Sequence, residues 1–198
     1  MTRGTRAVFL TAMLAAGVSS TPTACAEEHQ LPAVPAQTDR RPDVIFVPTR
    51  EMVIDAMLKA ANVGPNDVVY DLGCGDGRIP IAAAVKYGAR GVGIDIDPRR
   101  IEESRANAKA AGVEHLVEFR LEDVMKADVS PATVVTLFLL SSSNAKLRPL
   151  LTTQLRPGSR VVSHAFSMGT DWPADRVEQF TSARGDDVTL YMWTIASR

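Results

Sequence analysis

The chain has 198 residues, of which 45% are hydrophobic and 23% are charged, and its formal net charge is −1. This length fits one domain, and the hydrophobic content is sufficient for a packed core. The small net charge excludes a broad basic surface, so no nucleic-acid partner is expected.

The start of the chain has the three-part layout of a secretory signal peptide. Arg3 and Arg6 precede a short apolar stretch, and Ala24-Cys25-Ala26 forms a small-residue cleavage site. A helix needs about 20 apolar residues to cross a bilayer, and this apolar stretch is shorter. We therefore predict cleavage after Ala26 and export, to the periplasm, without a stable membrane span in the mature protein. Lipoprotein processing at Cys25 and an uncleaved membrane anchor are the alternatives.

Three regions are predicted: a signal peptide at 1–26, a linker at 27–43 and one domain at 44–198. The linker contains three prolines among polar residues, a composition typical of flexible segments. Cleavage removes Cys25 and leaves Cys74 as the single cysteine of the mature chain. Stability is therefore expected to come from packing, without an intramolecular disulfide.

Helical and strand patterns alternate through the domain, which predicts a parallel sheet. Residues 133–140 form a continuous apolar run, typical of a central strand covered on both faces. The final hairpin, with no helix between its strands, adds an antiparallel strand. In chain order the predicted elements are a helix from Thr49 to near Gly64, a strand at 67–71, a helix at 78–87, a strand at 91–95, a helix from Asp97 to near Gly112, strands at 116–121 and 133–140, a helix near 145–155, a strand at 160–166, and strands at 176–181 and 188–195.

The stretch Asp71-Leu-Gly-Cys-Gly-Asp-Gly77 follows the apolar run Val68-Val-Tyr70. It predicts a buried strand that leads into a glycine-rich turn and then a helix. Its three glycines permit positive φ and leave no side chain between the backbone and a ligand. The helix offers backbone N–H groups at its first turn. Asp95 ends the following strand, where an acid holds the hydroxyls of a nucleoside ribose. Together these features indicate a nucleoside-containing cofactor.

The spacing of the glycines distinguishes two such cofactors. A dinucleotide fingerprint is G-x-G-x-x-G, whereas this loop is G-x-G-x-G, with Asp71 before it and Asp76 inside it. Carboxylates repel a pyrophosphate but favour the amino group and sulfonium of S-adenosylmethionine. A nicotinamide oxidoreductase is therefore the less favoured alternative.

The pattern D-x-G-x-G-x-G, followed by an acid at the end of the next strand, resembles the class I S-adenosylmethionine-dependent methyltransferases. The resemblance implies a Rossmann-like α/β fold, a seven-stranded, mostly parallel sheet with an antiparallel C-terminal strand, and S-adenosyl-L-methionine as cofactor. It also implies that Asp71, Gly73 and Gly75 contact the amino-acid half of the cofactor. Asp95 would take the ribose hydroxyls and Asp123 the adenine amino group.

Four residues near this motif have two interpretations each. Asp123 receives the adenine amine or serves as a turn residue, and Asp76 contacts the ligand or caps the helix at 78. Thr49 closes over the cofactor or caps its own helix. Cys74 could be taken for a nucleophile, but the favoured interpretation is a small buried side chain that fills space against the helix.

A closer likeness rests on three segments, Phe46–Thr49, Val134–Leu140 and Arg160–His164, together with Asp76-Gly-Arg78 after the loop. They are similar to bacterial relatives of the mitochondrial protein-lysine methyltransferases that modify the c-ring protein of ATP synthase, which implies transfer of a methyl group to a lysine amine. The chain differs from those relatives at two strand ends. Ser141 stands where they tend to carry Pro, and Ala165 stands where an Asp would follow Ser-His.

Methyl transfer from a sulfonium requires positioning, desolvation and a neutral nucleophile. No metal is predicted, because His29, His115 and His164 are widely separated in the sequence. His164 is the catalytic candidate as a proton acceptor for an incoming amine; a histidine bonded to a backbone carbonyl is the alternative. Residues 139–142 lack the Asn/Asp-Pro-Pro-aromatic loop of methylases that modify amide or nucleobase nitrogens.

The sequence thus predicts a methyltransferase acting on a protein or small-molecule acceptor, in particular a protein lysine amine. The alternative is an exported S-adenosylmethionine-binding protein without methyl transfer. Both altered strand ends favour that alternative, as does export, since S-adenosylmethionine is made in the cytosol.

Overall fold

A computed structural model of the protein describes residues 47–182 and 184–197. The predicted signal peptide and linker, together with Phe46, lie outside the described residues. The described chain forms one seven-stranded sheet with four helices packed against it. Within these residues, no helix has both the length and the apolar character needed to cross a membrane.

The elements follow the predicted order. The helices are α1 Glu51–Ala60, α2 Arg78–Tyr87, α3 Pro98–Ala110 and α4 Ser141–Gln154. The strands are β1 Val68–Leu72, β2 Arg90–Asp95, β3 Val117–Leu121, β4 Val134–Leu137, β5 Arg160–His164, β6 Arg176–Thr181 and β7 Asp187–Thr194.

The strand order across the sheet is β3-β2-β1-β4-β5-β7-β6. Strands β1 to β5 pair in parallel, and β7 lies antiparallel to both β5 and β6. The predicted seven-stranded, mostly parallel sheet with an antiparallel C-terminal strand is confirmed. The order reverses between β1 and β4, where the carboxyl ends of the two strands border the crevice in which open α/β sheets bind ligands.

Alternation along β1 supplies both faces of the sheet with core residues. Tyr70 and Leu72 belong to one buried cluster, which also contains the apolar side chains of α4. Val69 belongs to a second cluster with residues of α1 and α2. Because successive strand residues point to opposite faces, both faces of the sheet are covered, as the continuous apolar run of β4 predicted.

Two predicted boundaries are wrong at the carboxyl edge of the sheet. β4 ends at Leu137 instead of Leu140, and α4 begins at Ser141 instead of near 145. The apolar run continues past the strand because Leu139 packs against the first core cluster after leaving the sheet. An apolar run therefore marks burial here, and does not mark where strand pairing ends.

β5 also ends earlier than predicted, at His164 instead of Phe166. The next residue, Ala165, has a φ of 63°, which takes the chain out of the extended conformation.

At the start of α1, Arg50 is the N-cap and makes no side-chain capping hydrogen bond. The interpretation of Thr49 as a helix cap is therefore wrong.

Candidate functional site

The glycine loop after β1 is tied to the end of β2 by backbone hydrogen bonds. The amides of Gly73 and Cys74 donate to the carbonyl of Ile94 over 2.8 and 3.0 Å. Gly73 has a φ of 84°, and a Cβ there would lie 2.9 Å from Cδ2 of Leu139. The loop therefore needs glycine at this position for its conformation, and its backbone lies close to the Leu139 side chain, after β4.

Gly77 begins α2 and packs closely against α3 and β3. Its φ is 78°, and a Cβ would lie 2.6 Å from Cβ of Ser104 and 2.7 Å from the ring of Phe119. Gly77 is the N-cap of α2 and, having no side chain, makes no capping hydrogen bond. Because residue 77 has no side chain, the start of α2 can pack directly against α3 and β3.

Asp71, at the carboxyl end of β1, is a buried carboxylate without a cationic partner in the described part of the chain. Its exposed fraction is 4%, and Oδ1 accepts a hydrogen bond of 2.7 Å from Thr136 Oγ1 of β4. Burial raises the pKa of Asp71 to about 7, with contributions from the nearby carboxylates of Asp95 and Asp76, although the Thr136 bond lowers it. A buried acid in this environment favours a cationic ligand.

Asp95 ends β2 and holds the glycine loop through its carboxylate. Oδ2 accepts a 2.9 Å hydrogen bond from the Gly75 amide, and Oδ1 accepts one of 2.9 Å from the Asp97 amide. Each carboxylate oxygen has two lone pairs. Asp95 therefore retains capacity to accept hydrogen bonds from hydroxyl groups of a ligand.

Asp123 follows β3 and is buried. Its Oδ1 accepts a 3.0 Å hydrogen bond from the Met125 amide, and its carbonyl accepts one of 2.8 Å from the Lys126 amide. Asp123 is thus a turn residue, as one interpretation predicted. A carboxylate accepts hydrogen bonds and an amino group donates them, so the chemistry of Asp123 is compatible with binding an amino group.

Arg78, at the first turn of α2, connects the loop to the segment before α1. Its guanidinium binds the carboxylate of Asp76, with 2.8 Å between Nε and Oδ1, and Nη1 donates to the carbonyl of Thr49 over 2.8 Å. The Arg78 amide lies 3.4 Å from Asp76 Oδ1, too long for an effective cap. Asp76 therefore orients Arg78, and Arg78 holds the buried Thr49 near the loop.

Cys74 is buried among Ile101, Ala108 and Phe119. Burial raises the pKa of its thiol, and the neighbouring acids Asp71 and Asp95 raise it further. A thiol in this state is a weak nucleophile. The prediction that Cys74 fills space against the helix is confirmed.

His164 lies at the carboxyl end of β5, with its ring 4.3 Å from that of Phe138 between centroids. Its Nδ1 is buried and has no hydrogen-bond partner among the described residues. The alternative of a histidine bonded to a backbone carbonyl is therefore wrong. Burial lowers the pKa of His164, which favours the neutral imidazole.

Several residues of the site were missed by sequence reasoning, because their roles depend on contacts with distant segments. They are Thr136, Arg78, Phe138 and Asn144. Arg78 lies in a stretch that carried a local signal, the Asp76-Gly-Arg78 of the family likeness, but that likeness gave Arg78 no role. No group of three metal-ligating side chains occurs within residues 47–182 and 184–197.

This fold, with a glycine loop, a buried acid at β1 and a second acid at the end of β2, defines a class I S-adenosylmethionine-dependent methyltransferase. The chain belongs to the family of the ANTKMT methyltransferase domain, whose sequence profile matches residues 71–176. S-adenosyl-L-methionine is therefore its cofactor. The buried Asp71 fits the positive charge of that cofactor, and the glycines of the loop fit its close approach to the backbone.

Three known proteins illustrate the relationship. A protein-lysine N-methyltransferase of Saccharolobus islandicus is 46% identical over 152 residues, covering 76% of this chain and 94% of the relative. A lysine N-methyltransferase of Xenopus laevis, named for the c-ring protein of ATP synthase, is 32% identical over 132 residues, covering 67% of this chain and 57% of the relative.

The third is a solved structure, named an RNA methyltransferase, from Salinibacter ruber in complex with S-adenosyl-L-homocysteine. It is 55% identical, with a TM-score of 0.71, and the match covers 77% of this chain and 95% of that chain. All three are named methyltransferases, although the acceptors in their names differ.

Proposed function

We propose that the protein transfers a methyl group from S-adenosylmethionine to the side-chain amine of a lysine in a protein acceptor. The observation that carries this proposal is the 46% identity to a protein-lysine N-methyltransferase across nearly all of that relative's length. The more distant Xenopus relative, also named as a lysine methyltransferase, supports the same acceptor class.

In this proposal the acids and glycines around the loop bind the cofactor. Asp71 would pair with the amino group of the methionine half, and the backbone at Gly73 and Gly75 would contact that same half. Asp95 accepts hydrogen bonds from the ribose hydroxyls, and Asp123 accepts one from the adenine amine. What supports these roles is the position of each acid at the carboxyl end of a parallel strand or just after it.

Thr49 is proposed to close over the bound cofactor. Its support is the hydrogen bond from Arg78, which keeps the segment before α1 beside the loop. Closure excludes water, and a dry site strengthens the electrostatic contacts of Asp71. The cofactor supplies the methyl group on a good leaving group, so the chain mainly has to orient the acceptor and keep its amine neutral.

The name of the Salinibacter protein raises RNA as another acceptor. Two features of this chain disfavour RNA. Its net charge is −1, so it lacks the basic excess with which proteins bind phosphate backbones. Residues 139–142 read Leu-Leu-Ser-Ser, without the loop that holds a nucleobase nitrogen.

The test has a binding arm and a transfer arm. Calorimetry with S-adenosylhomocysteine establishes the cofactor site. Tritiated S-adenosylmethionine is then supplied with the c-ring protein of ATP synthase, with an envelope protein fraction and with ribosomal RNA. We expect label in methylated lysine, recovered after acid hydrolysis of a protein fraction. Label in RNA alone, or binding without transfer to any fraction, would contradict the proposal.

Export to the periplasm is a separate part of the proposal, supported by the basic, apolar and small-residue pattern of residues 1–26. N-terminal sequencing of the protein purified from its own cells tests it. A mature chain beginning at Glu27 is expected. An intact Met1 in a soluble cytosolic fraction would overturn it, and a lipid-modified Cys25 would indicate anchoring instead.

A further inference from the structure

The chain makes a strained turn directly after β5. The Phe166 amide donates a 2.8 Å hydrogen bond to the His164 carbonyl, which closes a three-residue γ-turn around Ala165. Ala165 has a φ of 63°, and γ-turns with positive φ at the central residue are rare and strained. The alanine side chain cannot form the local hydrogen bond with which Asn or Asp stabilises this conformation, so the surrounding structure must hold it.

Three hydrogen bonds hold the turn. The Ala165 amide donates to the Thr189 carbonyl of β7 over 2.8 Å. The Phe166 carbonyl accepts from Ser163 Oγ over 2.6 Å and from Asn144 Nδ2 over 3.1 Å. Asn144 is fully buried in α4, and its Oδ1 has no partner among the described residues. Strain that three hydrogen bonds maintain at the edge of a site is a reason to look for a function.

The result of the turn is a group of three aromatic rings, which we call the aromatic shelf: Phe138, His164 and Phe166. The centroid of the Phe138 ring lies 4.3 Å from that of His164 and 6.1 Å from that of Phe166. All three side chains are half-buried, so each is partly accessible to a ligand. Leu139, next to the shelf, approaches Gly73 of the cofactor loop.

His164 is the polar member of the shelf. No described side chain or backbone group hydrogen-bonds to its imidazole, and of the two ring nitrogens only Nδ1 is fully buried. Burial alone lowers its pKa, with no charged side chain contributing. A neutral imidazole with an accessible Nε2 can accept a proton at neutral pH.

We propose that the aromatic shelf is the methyl-acceptor site and takes a primary amine on an unbranched alkyl stem. The stem packs on the rings of Phe138 and Phe166, whose faces also attract the ammonium before it is deprotonated. His164 Nε2 accepts one proton from the ammonium and later releases it to solvent. The freed lone pair forms the N–C bond as the methyl C–S bond breaks, and that bonding pair remains on sulfur.

This inference rests on the proposed function and names the residues that select the acceptor. Two residues that follow the strands carrying the shelf, Ser141 and Ala165, are both small and exposed. A flexible stem can reach the shelf past small side chains. A flat nucleobase would instead require the polar loop that residues 139–142 lack.

The experiment uses n-butylamine, which has the lysine side chain without the backbone. It is added to full-length protein saturated with S-adenosylhomocysteine, in which the histidine Cε1–H groups are isotopically labelled for NMR. We expect a saturable shift of the His164 signal and none for His115, an exposed histidine that serves as the internal control. Phe138→Leu is expected to weaken butylamine binding by about fivefold or more, whereas Phe180→Leu on β6 leaves it unchanged.

A second measurement follows methyl transfer by variants that keep the cofactor site. His164→Asn should leave the affinity for S-adenosylhomocysteine unchanged and lower the transfer rate by about a hundredfold. His115→Asn should change neither. If Phe138→Leu does not fold, Phe166→Leu replaces it.

An unmoved His164 signal, or equal butylamine binding by the Phe138 variant and the wild type, would overturn the inference. If the wild type still binds S-adenosylhomocysteine and methylates lysine, the proposed function stands and the shelf is not its acceptor site. If the wild type labels no lysine, the proposed function itself fails, and the shelf loses its role with it.

Discussion

Gly75 and Asp95 lie 20 residues apart in the sequence, and the Gly75 amide donates a 2.9 Å hydrogen bond to Asp95 Oδ2. The acid that is proposed to hold the ribose therefore also fixes the glycine loop. Its second oxygen binds the Asp97 amide, at the N-cap of α3. One carboxylate thus sets the distance between the loop, the end of β2 and the start of α3.

Asp95→Ala is expected to weaken S-adenosylhomocysteine binding by about 1–3 kcal/mol, the cost of leaving a buried polar partner unsatisfied. The substitution removes the ribose acceptor and releases the Gly75 amide. Calorimetric titration of the wild type and the variant measures the difference. Glu114→Ala, at an exposed acid, is the matched control and should bind normally. Equal affinity of both variants would contradict the role of Asp95.

Much of the fold was predictable because its signals are local. Glycines at the ends of strands, the proline after Asp97 and the apolar periodicity mark the starts and ends of most elements. The wrong boundaries lie where tertiary contacts decide them. Leu139 packs as a core residue outside any strand, and Ala165 takes a φ of 63° that its residue type disfavours.

The candidate site divides in the same way. The positions of Asp71 and Asp95 could be predicted because each follows directly from a strand pattern. The partner of Asp71 could not, because Thr136 is 65 residues away and becomes its neighbour only through the pairing of β1 with β4. The contact between Arg78 and Thr49 likewise depends on how α1 packs beside the loop.

The affinity for S-adenosylhomocysteine should depend on pH through Asp71. Burial, with contributions from nearby carboxylates, raises the pKa of this acid to about 7 in the free protein. A cationic amino group beside it favours the ionised form, so binding below pH 7 releases a proton. Affinity should therefore rise by at most about tenfold per pH unit up to about pH 7, and then level off.

Calorimetry in buffers with different ionisation enthalpies measures the released proton directly. Thr136→Val removes a hydrogen bond that lowers the pKa of Asp71, so the inflection should move to higher pH. Asp71→Asn should bind weakly at every pH. It should also be more stable than the wild type above pH 7. The reason is that the folded pKa exceeds the usual 3.8, so the penalty for an ionised Asp71 grows as pH rises towards 7 and is complete above it. A flat pH profile for the wild type would contradict this account.

Gly77→Ala should destabilise the fold by more than a change of backbone conformation alone. The added Cβ would lie 2.6 Å from Ser104 and 2.7 Å from Phe119, both firmly packed. Overpacking of this kind costs about 1–3 kcal/mol, in addition to the cost of a positive φ, about 1–2 kcal/mol. Denaturant unfolding of the variant measures the total.

Gly158→Ala is the matched control for that experiment. Gly158 has a φ of 83°, close to the 78° of Gly77, but a Cβ there would meet no atom within 4 Å. Its loss of stability therefore reports the conformational cost alone. Equal losses at the two positions would show that the contacts of Gly77 with α3 and β3 add nothing.

Arg78→Gln should weaken S-adenosylhomocysteine binding, with little loss of global stability. Arg78 is the link between Asp76 in the loop and the Thr49 carbonyl, and its side chain is about one third exposed, at 36%. Gln cannot span both partners. The segment before α1 is then free to move away from the site, so the dissociation rate of the ligand should rise. Stopped-flow displacement measures that rate.

Arg99→Gln is the matched control, because Arg99 also pairs with an acid two residues before it but makes no side-chain hydrogen bond or ion pair with another segment of the described chain. It should leave the dissociation rate unchanged. Arg78→Lys adds a sharper comparison: lysine keeps the charge but lacks the planar fork that binds Asp76 and Thr49 together. If the Lys variant releases the ligand as slowly as the wild type, charge alone is sufficient. If it resembles the Gln variant, the two-partner geometry of Arg78 is what keeps Thr49 over the site.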